Sequence, residues 1–199
     1  MLKIFEKYLV GIGRKEHILN TFAKLGEIPE TRGPKFVFAH MITPHPPYLF
    51  DESGKSVPET ELKMSGDVWT KRELYIDQLI FINKKVKLLV DEILSKSEIP
   101  PIIVLQADHG SASILDGKSG WENPSSDGIK ERMRILNAYY LPEGGDRLVY
   151  DSITPVNTFR AILNHYFKTN YELLGDKSYF STYERPYDFS NVTKQALFN

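Results

Sequence analysis

Pro100-Pro101-Ile102-Ile103-Val104-Leu105-Gln106-Ala107-Asp108-His109-Gly110 is the stretch on which the fold turns. Four consecutive apolar residues, Ile102 to Leu105, follow two prolines and end in an acid, an imidazole and a glycine. Such a run predicts a strand buried on both faces, as in a parallel sheet covered by helices. In open α/β sheets ligands bind beyond the carboxyl ends of the strands, and an oxygen and a nitrogen donor side by side there suit a hard or borderline divalent metal. Gly110 is expected to let the chain turn at once and to keep that rim open. A tripeptide is a weak motif alone, and the bland alternative is a strand running into an ordinary polar turn.

Upstream, Lys35-Phe36-Val37-Phe38-Ala39-His40 predicts a short strand, followed by Thr43-Pro44-His45-Pro46-Pro47-Tyr48. Three prolines in four positions around His45 cannot continue a central strand and must form a stiff loop at its end. His40 and His45 are thereby expected on one rigid edge, which suits a phosphate, sulfate or metal site; a proline-rich surface turn with bystander histidines is the alternative. Residues 51–68 are polar and read as an exposed excursion of the kind that forms lids or binding loops. Residues 71–96 carry Tyr75, Leu79, Ile82, Val86, Leu89, Val90, Ile93 and Leu94 at helical spacing, a core-packing stripe on one long helix. The resulting strand, helix, strand order implies a right-handed crossover and a parallel sheet.

Before this lie two short amphipathic helices interrupted by Gly11 and Gly13 and ending near Gly26, with His17 on a solvated face. After Gly110 a small, polar loop runs through Ser111, Ser113 and Trp121, with Trp121 either folding it down or touching substrate. Residues 135–141, stopped by Pro142, predict another strand. Thr154 and Pro155 predict a helix start, a capping hydroxyl followed by proline at the first helical position. His165 is expected to pack or cap near that helix's end, and the last ~30 residues show no clear periodicity beyond one edge strand.

Composition narrows the function classes. With 199 residues the chain suffices for one domain with a sizeable core. It has no cysteine, which excludes disulfides and thiolate metal sites. Twenty-five basic and 26 acidic residues, a net charge of -1, leave no electrostatic footprint for nucleic acid. No apolar run approaches the ~20 residues of a membrane helix, so the chain is expected to be soluble, and its start does not resemble a signal peptide.

The order of these motifs, over residues 34–167, resembles the C-terminal half of the sulfatase-like branch of the alkaline phosphatase superfamily. That branch includes arylsulfatases, lipoteichoic acid synthases and phosphoethanolamine transferases. The resemblance rests on the His45-Pro46-Pro47-Tyr48 loop, the helix with Tyr75 and Asp77, the Ala107-Asp108-His109-Gly110 strand end, and Glu131-Arg132 running into Ala138-Tyr139-Tyr140-Leu141-Pro142. It implies a partly parallel α/β sheet flanked by helices, with residues 1–33 a helical lead-in and 34–199 a half-domain. By the same resemblance Asp108 and His109 would be ligands of a divalent metal (zinc, manganese or calcium), and His40 and His45 would bind the substrate's phosphate or sulfate. The substrate would be a phosphate or sulfate ester, an envelope lipid, a glycan or a small ester, handled on the extracytoplasmic face of a membrane-anchored parent.

One departure matters. The family's nucleophile and further metal carboxylates belong to an N-terminal half that has no counterpart before Lys35, and Thr43, Ser111 and Ser113 do not match the nucleophile position. The chain is therefore expected to be an incomplete metal-dependent hydrolase or transferase domain, docking on a missing half or on itself. The alternative is a non-catalytic module that keeps an anion or metal site.

Overall fold

A computed structural model describes residues 12–58 and 72–197. The chain divides into two compact units, Met1–Pro100 and Pro101–Asn199. Both mix helix with little or no sheet, and the sheets that form are small and antiparallel.

In the N-terminal unit, helix α1 (Ile12–Glu27) continues through Gly13 and passes into a 3-10 turn at Ile28–Glu30. Any break at Gly11 lies outside the described residues. Helix α2 (Arg72–Lys96) follows the predicted periodicity almost residue for residue. Ile18 and Phe22 of α1 pack with Ile82 of α2 around Leu49 and Phe50, and Phe81, Val86 and Leu89 close the cluster. Burial of such side chains is worth about 2 kcal/mol each, which holds two helices and one loop together without a sheet.

The predicted strand at residues 35–40 does not form. The segment has no ladder partner among the described residues, and Phe36 and Phe38 are 87% and 83% exposed. Its composition favours a strand, yet β-propensity only describes fitness for a pleated, half-buried surface and supplies no neighbour. Residues 51–58 are mostly exposed, as expected, but form a closed turn. Phe50 bridges Ser56, Val57 N donates to Leu49 O, and Asp51 Oδ1 accepts from Ser53 N and Lys55 N. Gly54, at φ +87, turns the tip so close to Phe81 that a Cβ would meet its ring at 2.4 Å. The rest of the predicted excursion, 59–68, lies outside the described residues.

In the C-terminal unit, β1 (Ile103–Gln106) pairs antiparallel with β2 (Asn137–Tyr140), Ile103 opposite Tyr140 and Gln106 opposite Asn137. This corrects the parallel arrangement and the double burial expected for β1. Its residues are half-buried or exposed, and Ile102 is 37% exposed. A continuous apolar run signals an affinity for burial but not the direction of the neighbouring strand. Helix α3 (Ser126–Met133) lies in the connection, its N-terminus capped by Ser125 Oγ accepting from Gly128 N at 3.1 Å. A second pair, β3 (Tyr179–Phe180) with β4 (Ser190–Asn191), and helix α5 (Thr193–Leu197) organise the terminal residues that showed no periodicity. Ala112, Leu115, Ile129, Phe180 and Val192 form the core, with Trp121 and Met133 against it.

Helix α4 (Pro155–Phe167) begins at Thr154 and Pro155 as predicted, but Thr154 Oγ1 does not cap it. That hydroxyl donates instead to Asp176 Oδ1 at 2.6 Å. From α4, Asn157 exchanges both amide hydrogen bonds with the backbone of Leu174, and Asn164 does so with Tyr171. Seven helical residues rise about 10.5 Å and three extended residues about 10 Å, so the two asparagines match the spacing of residues 171–174, a strap along α4. His165 Nε2 lies 3.3 Å from Glu143 O in the turn after β2 and its ring meets Tyr166 edge-on at 4.7 Å, so of the two roles expected it packs near the helix end and does not cap it. No helix among the described residues is long and apolar enough to cross a membrane.

Candidate functional site

Asp108 and His109 leave the end of β1 at a rim whose backbone is fixed by Gly110. Gly110 N donates to Arg132 O at 2.8 Å, and a Cβ on Gly110 would lie 2.0 Å from Glu131 O and 2.5 Å from Arg134 O. The glycine was expected to serve a sharp turn, but positive φ among the described glycines is confined to Gly33, Gly54, Gly120 and Gly144. What requires glycine at 110 is the approach of two backbones with no room for a methyl group.

Glu131 holds the next residues. Its carboxylate accepts from Ser111 Oγ at 2.6 Å, from Ser113 Oγ, and from Ile114 N at 2.9 Å. Partial burial pushes the Glu131 carboxyl up, but the hydrogen bonds from Ser111, Ser113 and Ile114, with the Ser113 backbone N–H among them, outweigh it and hold it below the usual range. Glu131 thus caps, from α3, the helical turn that starts at Ser113 and continues as a π-helical turn at Leu115–Ser119. Both serine hydroxyls donate to a structural carboxylate, which gives them a role other than the nucleophile's.

His109 Nε2 lies 3.4 Å from Asp108 Oδ2, longer than a good hydrogen bond. Ligand bonds of 2.0–2.2 Å at a tetrahedral angle separate two donors by about 3.4 Å. The pair therefore has the chemistry and the spacing of two ligands sharing one cation. Asp108 is largely exposed and His109 partly so, which leaves the gap accessible. The fit is incomplete: among the described residues no group of three or more His, Asp or Glu side chains is placed to hold a metal.

Beside the pair stands Arg132, whose Nη1 is 2.6 Å from His109 Nδ1 and donates to Gly110 O at 3.0 Å. Its guanidinium lies 5.5 Å from the Trp121 ring centre. Burial lowers the Arg132 pKa, and Asp108 and Asp116 oppose that change; the group stays a cation. Trp121 Nε1 donates to Asp116 Oδ1 at 2.7 Å, and the indole stacks on Phe180 at 6.1 Å. Of the two roles expected for Trp121, the structure gives it the first: it folds the loop onto the core and carries Arg132 on its face.

His40 and His45 belong to the N-terminal unit. His40 is exposed at the end of the unpaired segment. His45 is exposed on the proline loop, with Nδ1 2.7 Å from Pro46 O. A carbonyl only accepts, so in this contact Nδ1 is the donor. The loop is clamped by Gln78, which accepts from Leu49 N at 2.6 Å and donates to Pro44 O at 3.1 Å. Thr43 Oγ1 and Tyr48 Oη are buried, and neither has a hydrogen-bond partner among the described residues. Burial, then Tyr75, pushes the Tyr48 hydroxyl up to about 12.

The sequence brought Asp108 and His109 to notice but not the parts of Glu131, Ser111 and Ser113 in seating them, nor that of Arg132 in contacting His109. The available signal was Ser-x-Ser straight after Asp-His-Gly, the composition of a helix cap looking for a partner. Comparison with known proteins finds no matching family model, no matching curated protein and no matching solved structure.

Proposed function

We propose that this chain supplies part of a divalent-metal site in a phosphate- or sulfate-ester hydrolase or transferase domain of the sulfatase-like kind. Asp108 and His109 are the metal ligands, and His40 and His45 bind the ester's anionic group. The observation that carries this reading is the 3.4 Å spacing between Asp108 Oδ2 and His109 Nε2 on an accessible rim. A zinc, manganese or calcium ion, when bound, would polarise the ester oxygen. The remaining ligands and the nucleophile come from outside the described residues.

The chain's own groups act in defined ways. Gly110 and Glu131 fix the backbone from which Asp108 and His109 project. His45, stiffened by its prolines and Gln78, offers Nε2 to solvent. Arg132 places a positive charge beside the ligands, where an ester anion would sit. That cation also favours a second reading, a non-catalytic module that binds an anion and turns nothing over.

Zinc and manganese should bind the chain weakly, since two ligands are fewer than the three that catalytic sites usually draw from protein. The double substitution Asp108→Ala with His109→Ala should abolish that binding in calorimetric titration. Turnover of chromogenic phosphate and sulfate esters should not exceed a blank. Metal-dependent turnover lost in the double variant would replace the partial-site reading with a complete enzyme, and metal binding that survives the double substitution would remove Asp108 and His109 from the site.

A further inference from the structure

We infer that Arg132 is a positioning residue that sets the tautomer of His109, keeping Nε2 as an N–H donor turned toward Asp108 and withholding it as a ligand. The inference concerns the metal ligand proposed above, but its first test does not depend on a metal.

His109 Nδ1 has two neighbours at bonding distance that make opposite demands. Arg132 Nη1, at 2.6 Å, can only donate and needs a bare nitrogen. Gly110 O, at 2.9 Å, can only accept and needs an N–H. One nitrogen cannot meet both. With Arg132 in place the conflict resolves one way: Nη1 also donates to Gly110 O at 3.0 Å, so a single guanidinium nitrogen serves both acceptors and screens them from each other. The ring hydrogen then sits on Nε2, facing Asp108 Oδ2 at 3.4 Å, where hydrogen and carboxylate attract.

Without Arg132 the balance reverses. A bare Nδ1 would face Gly110 O at 2.9 Å, lone pair against lone pair, and the ring relieves this by placing its hydrogen on Nδ1. Nε2 is then a lone pair beside the Asp108 carboxylate, the state a shared cation requires. The contact has two arrangements of one proton, and Arg132 selects between them. The Trp121 ring centre lies 5.5 Å from the guanidinium, so Arg132 is not a loose surface side chain.

Long-range proton–nitrogen correlation spectra of the full chain, labelled at histidine and recorded on the neutral ring, read the tautomer directly. Wild type should show a bare Nδ1 and a protonated Nε2. Arg132→Met, which keeps length and contact with Trp121, should reverse the two, with near-UV circular dichroism confirming that Trp121 stays packed. A protonated Nδ1 in wild type overturns the inference, and needs no variant; so does an unchanged pattern in a folded Arg132→Met. Zinc is then added to both proteins. It should move His109 to the protonated-Nδ1 pattern in wild type and bind Arg132→Met about tenfold more tightly, the lower end of what groups behind a ligating histidine contribute. If zinc leaves the His109 resonances of both proteins untouched while the metal-free tautomers are as expected, the metal reading fails and the role of Arg132 stands.

Discussion

The proline loop of the N-terminal unit and the β1 rim of the C-terminal unit each present an imidazole, and they fix it in opposite ways. Around His45 the backbone is clamped through buried Gln78 and the Leu49 and Phe50 core, while the ring has one local contact and faces solvent. Around His109 the backbone is wedged against α3 at Gly110, and the ring itself is held by Arg132. An exposed side chain on a stiff loop can adapt to a ligand that arrives. A side chain with a charged partner already in place must exchange that partner first, so under the proposed function His109 would be a selective position and His45 a permissive one.

The contrast can be broken most severely at Gly110. Gly110→Ala would drive a methyl group into the backbone carbonyls of Glu131 and Arg134, which cannot move aside as a side-chain tip would. The expected loss is about 3 kcal/mol, the upper range for overpacking, read as a lowered urea midpoint. A midpoint within error of wild type would show that the rim is loose and that the contrast is false.

Next in size is Gln78→Leu, which keeps the volume but leaves Leu49 N and Pro44 O unserved in a buried place. A loss of about 2 kcal/mol follows from stranding a buried donor. Proton exchange at Leu49 N should accelerate in this variant, and an unaltered exchange rate would remove Gln78 from its clamping role.

Glu131→Gln sharpens the comparison through pH. The Glu131 carboxyl is held below its ordinary 4.5, so its contribution is fully present above pH 4.5 and fades as pH falls through the lower folded value. The variant keeps an acceptor for one hydroxyl and should lose about 1 kcal/mol at pH 7. It should also show less acid destabilisation below pH 4.5 than wild type in urea midpoints taken between pH 3 and 7. Parallel pH curves for the two proteins would contradict the capping account. The smallest effect belongs to His45→Ala, under about 0.5 kcal/mol as for an exposed side chain, and a larger loss would make His45 a structural residue.

The same contrast explains what could be read from the chain. Helix α2 and the Thr154-Pro155 start were legible because each is encoded locally, by apolar spacing in one case and proline geometry in the other. Sheet direction was not, since Ile102 to Leu105 specify a wish for burial and the partner is chosen thirty residues later at Asn137–Tyr140. The unpaired Phe36 to His40 segment shows the same limit from the other side, a strand-like composition without a neighbour. At the site, Asp108 and His109 stood out as adjacent donors, whereas Glu131 and Arg132 owe their roles to long-range approach. So does Gly110, whose necessity comes from carbonyls twenty residues away and not from its own φ. The strap held by Asn157 and Asn164 was hidden for a similar reason, because amides seven residues apart on a helix carry no apolar periodicity.

The proposed sharing of one cation by Asp108 and His109 is tested most directly by manganese-induced relaxation. Substoichiometric Mn²⁺ added to the full chain should broaden the ring protons of His109 first, followed by backbone amides of residues 107–110, with broadening lost in Asp108→Ala combined with His109→Ala. Broadening spread evenly over surface carboxylates, or centred away from His109 and unchanged in that double variant, would contradict it.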